Sequence, residues 1–312
     1  MARAFIFPGQ GSQFIGMGQA IADAFPAARE VFEEVDDALE RHLTKIMWEG
    51  PIDALNSTAN TQPALMAHSI AMVRVMEAET GLDIANARFV AGHSLGEYSA
   101  LCATRALPLA DTARILQARG EAMQAAVPEG EGGMAALLGA DIEKAQNAID
   151  AAPGDGVLEI ANDNAPGQVV VSGTKTRVEA LAQDVRTHGI KMAKMLPVSA
   201  PFHCSLMAPA AAVMKEKLAE ADFTAPAAPI VANVLAKEAA GDPDTIRTLL
   251  EQQVTGRVRW REGVEYMVEN GVDRFVEIGS GKVLCGLVRR INGDASVMSV
   301  GEPSDLDAFV EA

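Results

Sequence analysis

A serine set between two glycines, Gly92-His93-Ser94-Leu95-Gly96, is the first place in this chain where residue types and spacing could do chemistry. The apolar run Phe89-Val90-Ala91 before it predicts a buried strand, and small and apolar residues over 96–103 predict a helix after it. Strand, Gly-x-Ser-x-Gly, helix is the setting of a nucleophile elbow, a turn so tight that a Cβ at either glycine would meet neighbouring backbone. Ser94 then sits at the tip, and the Leu95 amide lies at a helix N-terminus, where it can stabilise negative charge. A serine hydroxyl attacks only with a base within hydrogen-bond reach and with donors for the developing oxyanion.

Five histidines could supply that base. His93 is Ser94's neighbour in the elbow, so its side chain should point away from the serine's. His68 lies in a mostly apolar helical stretch and reads as a packed core residue. His42 and His188 fall in segments with no site context. His203 follows the rigid turn Val198-Ser199-Ala200-Pro201-Phe202, where the chain returns from an inserted segment, and is the best base. Cys204 is adjacent, but sequence neighbours rarely face each other. An α/β-hydrolase would place a third, acidic member between Ser94 and His203. The acids from Asp141 to Asp184 offer no such context, so the spacing points to a dyad with His203 oriented by a neutral group such as a backbone carbonyl.

The elements that must hold these residues follow an α/β pattern. A first strand over 3–7 runs into Pro8-Gly9-Gln10-Gly11-Ser12-Gln13. Phe14 stands where a dinucleotide loop needs its third glycine, so that fingerprint fails. The loop is either a plain tight turn or a place where the Gln10 amide stabilises an anion. Helical spacing runs over 17–48, then in a helix opened by Thr61-Gln62-Pro63-Ala64 with proline in its first turn, then from Pro108 through Arg119, Gly120 and Met123. Periodicity alone leaves Arg119 a solvated face residue. Val127–Gly133 is the clearest linker. Beyond it, strand 134–138, helix 141–152, strands 157–161 and 168–172, helix 174–188 and strand 193–196 spell βαββαβ, the ferredoxin-like plan. Residues 128–197 therefore read as an inserted small subdomain, with 1–127 and 198–312 forming the large discontinuous catalytic domain. Between its middle strands, Asn162-Asp163-Asn164-Ala165-Pro166-Gly167 reads as a turn whose side chains could reach across a cleft. A helix through Met214 and Leu218, strand 230–234, helices 243–254 and 258–269, strand 275–278, helix 283–291, a strand near 296–300 and an acidic tail helix complete the chain. Gly281-Lys282 is not a phosphate loop: Val276 replaces the required first glycine and Val283 the Ser or Thr.

Composition narrows the class. The chain has 312 residues, 49% hydrophobic and 22% charged, ordinary for a globular enzyme, and its formal net charge of -16 argues against nucleic acid or anionic membrane as partners. Cys102, Cys204 and Cys285 form no C-x-x-C pair and read as reduced thiols. Phe5-Ile6-Phe7 is too short for a signal peptide and no run approaches a membrane span, so a soluble cytoplasmic protein is expected.

Phe7-Pro8-Gly9-Gln10-Gly11-Ser12-Gln13, Gly92-His93-Ser94-Leu95-Gly96-Glu97-Tyr98, Gln117-Ala118-Arg119-Gly120, Pro166-Gly167-Gln168, Phe202-His203 and Glu277-Ile278-Gly279 together resemble, in order and over essentially the whole chain, the malonyl-CoA:acyl-carrier-protein transacylases. Gly279-Ser280-Gly281 departs from the family with serine where proline is usual, and Ala200-Pro201-Phe202-His203 matches the malonyl-selective form only in part. The resemblance implies an α/β-hydrolase-like core with a ferredoxin-like insert. It implies that Ser94 is acylated, that His203 is its base and that the Gln10 and Leu95 amides form the oxyanion hole. A late glutamine, for which Gln253 is the nearest match, would orient the histidine through its backbone carbonyl. The substrate-binding set expected on this basis is Arg119, which would hold the malonyl carboxylate, with Gln62, Met123, Asn162 and Phe202. The substrates are malonyl-CoA and acyl carrier protein, and no metal or redox cofactor is expected. Lys191, Lys194, Arg257, Arg259, Arg261, Arg289 and Arg290 are the basic residues available to dock an acidic carrier protein. Two rivals remain: a thioesterase passing the acyl group to water, and an inactive scaffold.

Overall fold

Strand β1 (Ala2–Phe7) shows why the chain builds a sheet covered on both sides. Phe5 and Phe7 enter one apolar cluster while Ala4 and Ile6 enter another. The period-two alternation is apolar on both faces, as a buried parallel strand requires. The computed structural model describes residues 2–311. With β2 (Phe89–Gly92), β3 (Gly132–Leu138), β4 (Leu158–Ala165), β5 (Gln168–Thr174), β6 (Met192–Met195), β7 (Ile230–Ala232), β8 (Lys237–Glu238), β9 (Val272–Ile278) and β10 (Ser296–Val300), the chain forms two sheets. The larger has the order β10-β9-β1-β2-β7-β8, parallel except for the edge strand β8. The smaller, β4-β5-β3-β6, is antiparallel.

Helices Thr58–Thr80, Gly96–Ala103 and Leu109–Ala125 cover one face of the large sheet, and Trp260–Glu269 and Val283–Ile291 the other. The ends of β1 and β2 point Gln10 and Ser94 toward the same edge, where parallel α/β sheets place their sites. The small sheet is tied on by two backbone hydrogen bonds, Asp163 N to Val258 O and Val258 N to Ala161 O, both 2.9 Å. A fork from Arg261 onto the buried Asp163 carboxylate, 2.8–3.1 Å, adds to them. No helix among the described residues is long and apolar enough to cross a membrane.

Several expectations are corrected. The stretch over 17–48 is helical as expected, in three helices, Gln19–Ala24, Pro26–Ala38 and Leu43–Glu49. The helix expected to open at Thr61 begins at Thr58, which puts Pro63 in its interior rather than its first turn. The missing Pro63 N–H leaves the Ala59 carbonyl without its helical donor, and Arg41 Nη2 fills the place at 3.4 Å. The stretch 162–167 is not all turn. Strand β4 continues to Ala165, and only Pro166-Gly167 turns, with Gly167 at φ 75°. Asparagine and aspartate read as turn residues, yet here each has a partner across the cleft that keeps the strand going. Strand 230–234 stops at Ala232, the helix from 258 starts at Trp260, and β8 carries no sequence signal.

Candidate active site

Gly92 and Gly96 make the elbow possible. A Cβ on Gly92 would lie 1.9 Å from the Gly96 carbonyl carbon, and one on Gly96 would lie 2.3 Å from the Phe7 carbonyl oxygen. The helix Gly96–Ala103 therefore starts flush against the end of β1. Ser94 occupies the left-handed region at φ 54°, a conformation costing on the order of 1–3 kcal/mol that its surroundings must hold. Asn233, just past β7, does so: its Oδ1 accepts the Ser94 N–H at 2.8 Å and its Nδ2 donates to Gly92 O at 2.7 Å.

Ser94 Oγ lies 2.7 Å from His203 Nε2. His203, also left-handed at φ 58°, donates from Nδ1 to the main-chain carbonyl of Gln253 at 2.9 Å. That bond fixes the tautomer, leaving Nε2 bare to accept the serine proton. Burial, with the Arg119 charge added, pushes His203 down to about 3. The imidazole is thus a neutral base across the neutral pH range. We expect its nitrogen NMR signals to stay those of an Nδ1–H neutral ring from about pH 5 to about pH 8. An imidazolium signal at neutral pH would contradict the geometry.

Arg119 is 1% exposed. Its Nη1 donates to Gln62 Oε1 at 2.7 Å, and its Nη2 donates to Gln253 Oε1 at 2.9 Å and to Ser94 Oγ at 3.2 Å. Helical spacing made it a surface residue; the structure corrects that, and Gly120 supplies the reason. A Cβ there would come within 2.6 Å of Ala59 Cα and the Thr58 carbonyl, so the helices meet backbone to backbone and Arg119 is pressed inward. Gln253 is fully buried, its Nε2 donating to Ser94 O at 3.0 Å and to Glu97 Oε2 at 2.8 Å. Burial raises the Glu97 carboxyl to about 7.

These groups line or adjoin a cavity of about 320 Å³ that also takes in Gln10, Leu95, Met123, Asn162 and Phe202. The main-chain amides of Gln10 and Leu95 donate to no protein acceptor among the described residues, while the Gln10 side-chain amide donates to Thr58 Oγ1 at 3.4 Å. Gln62 also donates to Met123 Sδ at 3.7 Å. His93 turns from the serine and donates to Asn164 Oδ1 at 2.8 Å. A larger hollow, about 810 Å³ near Arg3, Thr80 and Arg88, sits at the opposite end of the strands and holds no serine, cysteine or histidine. His68 is buried, bonded through Nε2 to Gly301 O at 2.9 Å and pushed down to about 4 by burial. The Cys204 thiol donates to Pro201 O at 3.1 Å and is raised by burial, so it is no nucleophile for His203. No group of three or more His, Cys, Asp or Glu among the described residues is arranged to hold a metal ion. Sequence reasoning missed Asn233 and Glu97. The signals were an asparagine just past a central strand and an acid in the first turn of an otherwise apolar helix.

Residues 4–310 match the family described as the acyl transferase domain. A protein named malonyl CoA-acyl carrier protein transacylase from Escherichia coli (strain K12) is 43% identical over 309 residues, 99% of this chain and 98% of that protein. This chain belongs to the malonyl CoA-acyl carrier protein transacylase family. An acyl-carrier-protein-S-malonyltransferase crystal structure from Bartonella henselae superposes with a TM-score of 0.97 at 53% identity, covering 100% of this chain and 99% of that one. A type II PKS acyl-carrier protein in complex with its malonyl-transacylase matches with a TM-score of 0.95 at 39% identity, covering 100% and 99%. Against the transacylase family pattern, the Glu277-Ile278-Gly279 motif has a structural part here. The Glu277 carboxylate accepts the Leu284 and Cys285 N–H groups at 3.1 and 2.7 Å, capping a helix, and Ser280 Oγ donates to Ser12 O in the Gln10 loop.

Proposed function

We propose that this chain moves a malonyl group from CoA to the phosphopantetheine thiol of acyl carrier protein through a malonyl-Ser94 intermediate. The reaction supplies chain extension in fatty acid or polyketide synthesis. The observation that carries this reading is Arg119: a buried guanidinium 3.2 Å from the serine oxygen asks for an acyl group that brings its own carboxylate. His203 takes the Ser94 proton as Oγ attacks the thioester carbonyl, and the Gln10 and Leu95 amides receive the oxyanion. The CoA thiol leaves with that proton. The carrier thiol then attacks the ester carbonyl, His203 removes its proton, and Ser94 is regenerated. These are proton and acyl transfers only, so the chemistry calls for no metal or redox cofactor. A carbonyl rather than an acid behind His203 speaks for the dyad over the hydrolase triad. Gln62, Met123, Asn162 and Phe202 are read as the walls that hold the acyl group and its arm.

The order β4-β5-β3-β6 is that of a ferredoxin-like sheet, which supports reading 128–197 as such an insert in an α/β-hydrolase-like domain made of 1–127 and 198–312. A cytoplasmic location fits the substrates. Intact-mass spectrometry tests the function directly: one malonyl addition with malonyl-CoA, lost again when carrier protein bearing its arm is added. A malonyl adduct that carrier protein cannot discharge would sink the transfer step.

The carrier protein is acidic, so docking asks for free basic groups. Arg261 is held by Asp163 and Glu265, Arg259 and Arg257 by Glu262, and Arg290 by Gln168 and Pro166 O. Lys191 and Lys194, before and within β6, are exposed and form no ion pair among the described residues, and Lys194 lies two residues from Leu196 in the cavity wall. Reversing both charges should raise the apparent KM for carrier protein several-fold and leave acylation by malonyl-CoA unchanged. Equal losses in both half-reactions would show a structural role instead.

A further inference from the structure

Arg119 is the largest fully buried side chain among the described residues, and its three hydrogen-bond partners, Gln62 Oε1, Gln253 Oε1 and Ser94 Oγ, are all neutral. A buried cation without a counter-charge is costly. The acid placed to answer it is Glu97, one amide away. Gln253 turns its Oε1 to the guanidinium and its Nε2 to Glu97 Oε2, so its side chain is aligned between a cation and an acid. Glu97 is 3% exposed and also accepts the Asn233 N–H at 3.0 Å on the same Oε2. Its Oε1 accepts no hydrogen bond among the described residues and is the place for a proton.

We propose that Glu97 is a positioning residue that balances Arg119: a carboxylate while Arg119 faces only neutral groups, and a neutral acid once the acyl group's own carboxylate docks there. The proposal rests on Arg119 being the carboxylate-binding residue. Two carboxylates on either side of one guanidinium repel, and in a buried site the one that can neutralise does so. The charged or titratable groups that act on Glu97 are Arg119, from the neighbouring helix, and Tyr98 on its own helix. Burial sets Glu97 at about 7, while it holds His203 down at about 3, His93 below its ordinary value and Tyr98 up at about 12. Glu97 is therefore the group that changes state near neutral pH.

Acylation itself is proton-neutral. The C–S bond breaks, the C–O bond to Ser94 forms, and the serine proton passes through His203 to the departing thiolate. A thiol with an ordinary pKa of about 8.5 keeps that proton at pH about 7.5. Net uptake from the buffer then reports Glu97.

The test mixes the 312-residue chain with malonyl-CoA or acetyl-CoA at pH about 7.5 in weak buffer with a pH indicator, and counts acyl-enzyme by mass in the same samples. We expect roughly 0.5–0.8 proton taken up per malonyl-enzyme and none per acetyl-enzyme. A protonated-carboxyl stretch should appear in the infrared difference spectrum of the malonyl-enzyme alone. Glu97→Gln should lose both signals per malonyl-enzyme formed. If that variant fails to fold, the two wild-type arms and the infrared band decide by themselves. Malonyl-enzyme formed without proton uptake, or equal uptake with acetyl, overturns the proposal and leaves the transfer reading standing. Absence of any malonyl-enzyme removes the reading of Ser94 and Arg119 and this proposal with it.

Discussion

Ser94→Ala will gain no malonyl mass from malonyl-CoA, and His203→Ala will gain it about 10²–10⁴-fold more slowly. The serine oxygen lies 2.7 Å from His203 Nε2, and the main-chain amides of Gln10 and Leu95, proposed as the oxyanion donors, have no protein acceptor among the described residues. Removing the oxygen removes the atom that forms the ester. Removing the imidazole leaves Arg119 and the amides proposed as oxyanion donors in place, so a slow reaction should survive. Time-resolved intact-mass measurement on both variants reads the difference. A malonyl adduct on the Ser94→Ala protein would place the nucleophile elsewhere. The neighbouring thiol is a poor substitute, since Cys204 is buried and its S–H is engaged by Pro201 O.

Arg119→Ala should lose malonyl loading by roughly 30- to 5000-fold while keeping or gaining acetyl loading. Truncating one partner of a buried, hydrogen-bonded charge pair costs about 2–5 kcal/mol, which converts to that range. Malonyl differs from acetyl by one carboxylate, and in the proposed reading the Arg119 guanidinium answers that charge with a fork of N–H groups that acetyl does not need. Arg119→Lys should fall between, because a point charge on a flexible stem cannot copy the fork. The measurement is malonyl and acetyl loading side by side on protein shown to be folded. Parallel losses for both acyl groups would mean that Arg119 only ties its helix to Gln62 and Gln253.

The parts of the site that were legible in the sequence are those that a local pattern encodes. Strand, glycine-flanked serine and helix are contiguous, so the elbow and its two crowded glycines could be read from residues 89–103. The pairing of Ser94 with His203 was reached by elimination among histidines, and the carbonyl behind His203 by the lack of a suitable acid. What escaped was set by tertiary contact. Arg119 reads as a surface residue until Gly120 is seen to let two helix backbones meet. Asn162, Asp163 and Asn164 read as a turn because their types favour one. Val258, Arg261 and His93 supply partners that turn chemistry cannot anticipate. Glu97 left only a weak signal, because an acid in the first turn of a helix is ordinarily a solvated one even where the rest of the helix is apolar.

Gln253 meets four demands: its main-chain carbonyl oxygen aligns His203, and its side chain serves Arg119, Glu97 and the Ser94 carbonyl. Every amino acid carries the first of these, so no substitution at this position deletes the group that aligns the base. The side chain can therefore drift toward other acyl preferences while the proton-transfer geometry stays protected. Altered selectivity without inactivation is the kind of variant that should accumulate at residue 253, whereas loss of the base's alignment demands that the helix Pro243–Thr255 itself move.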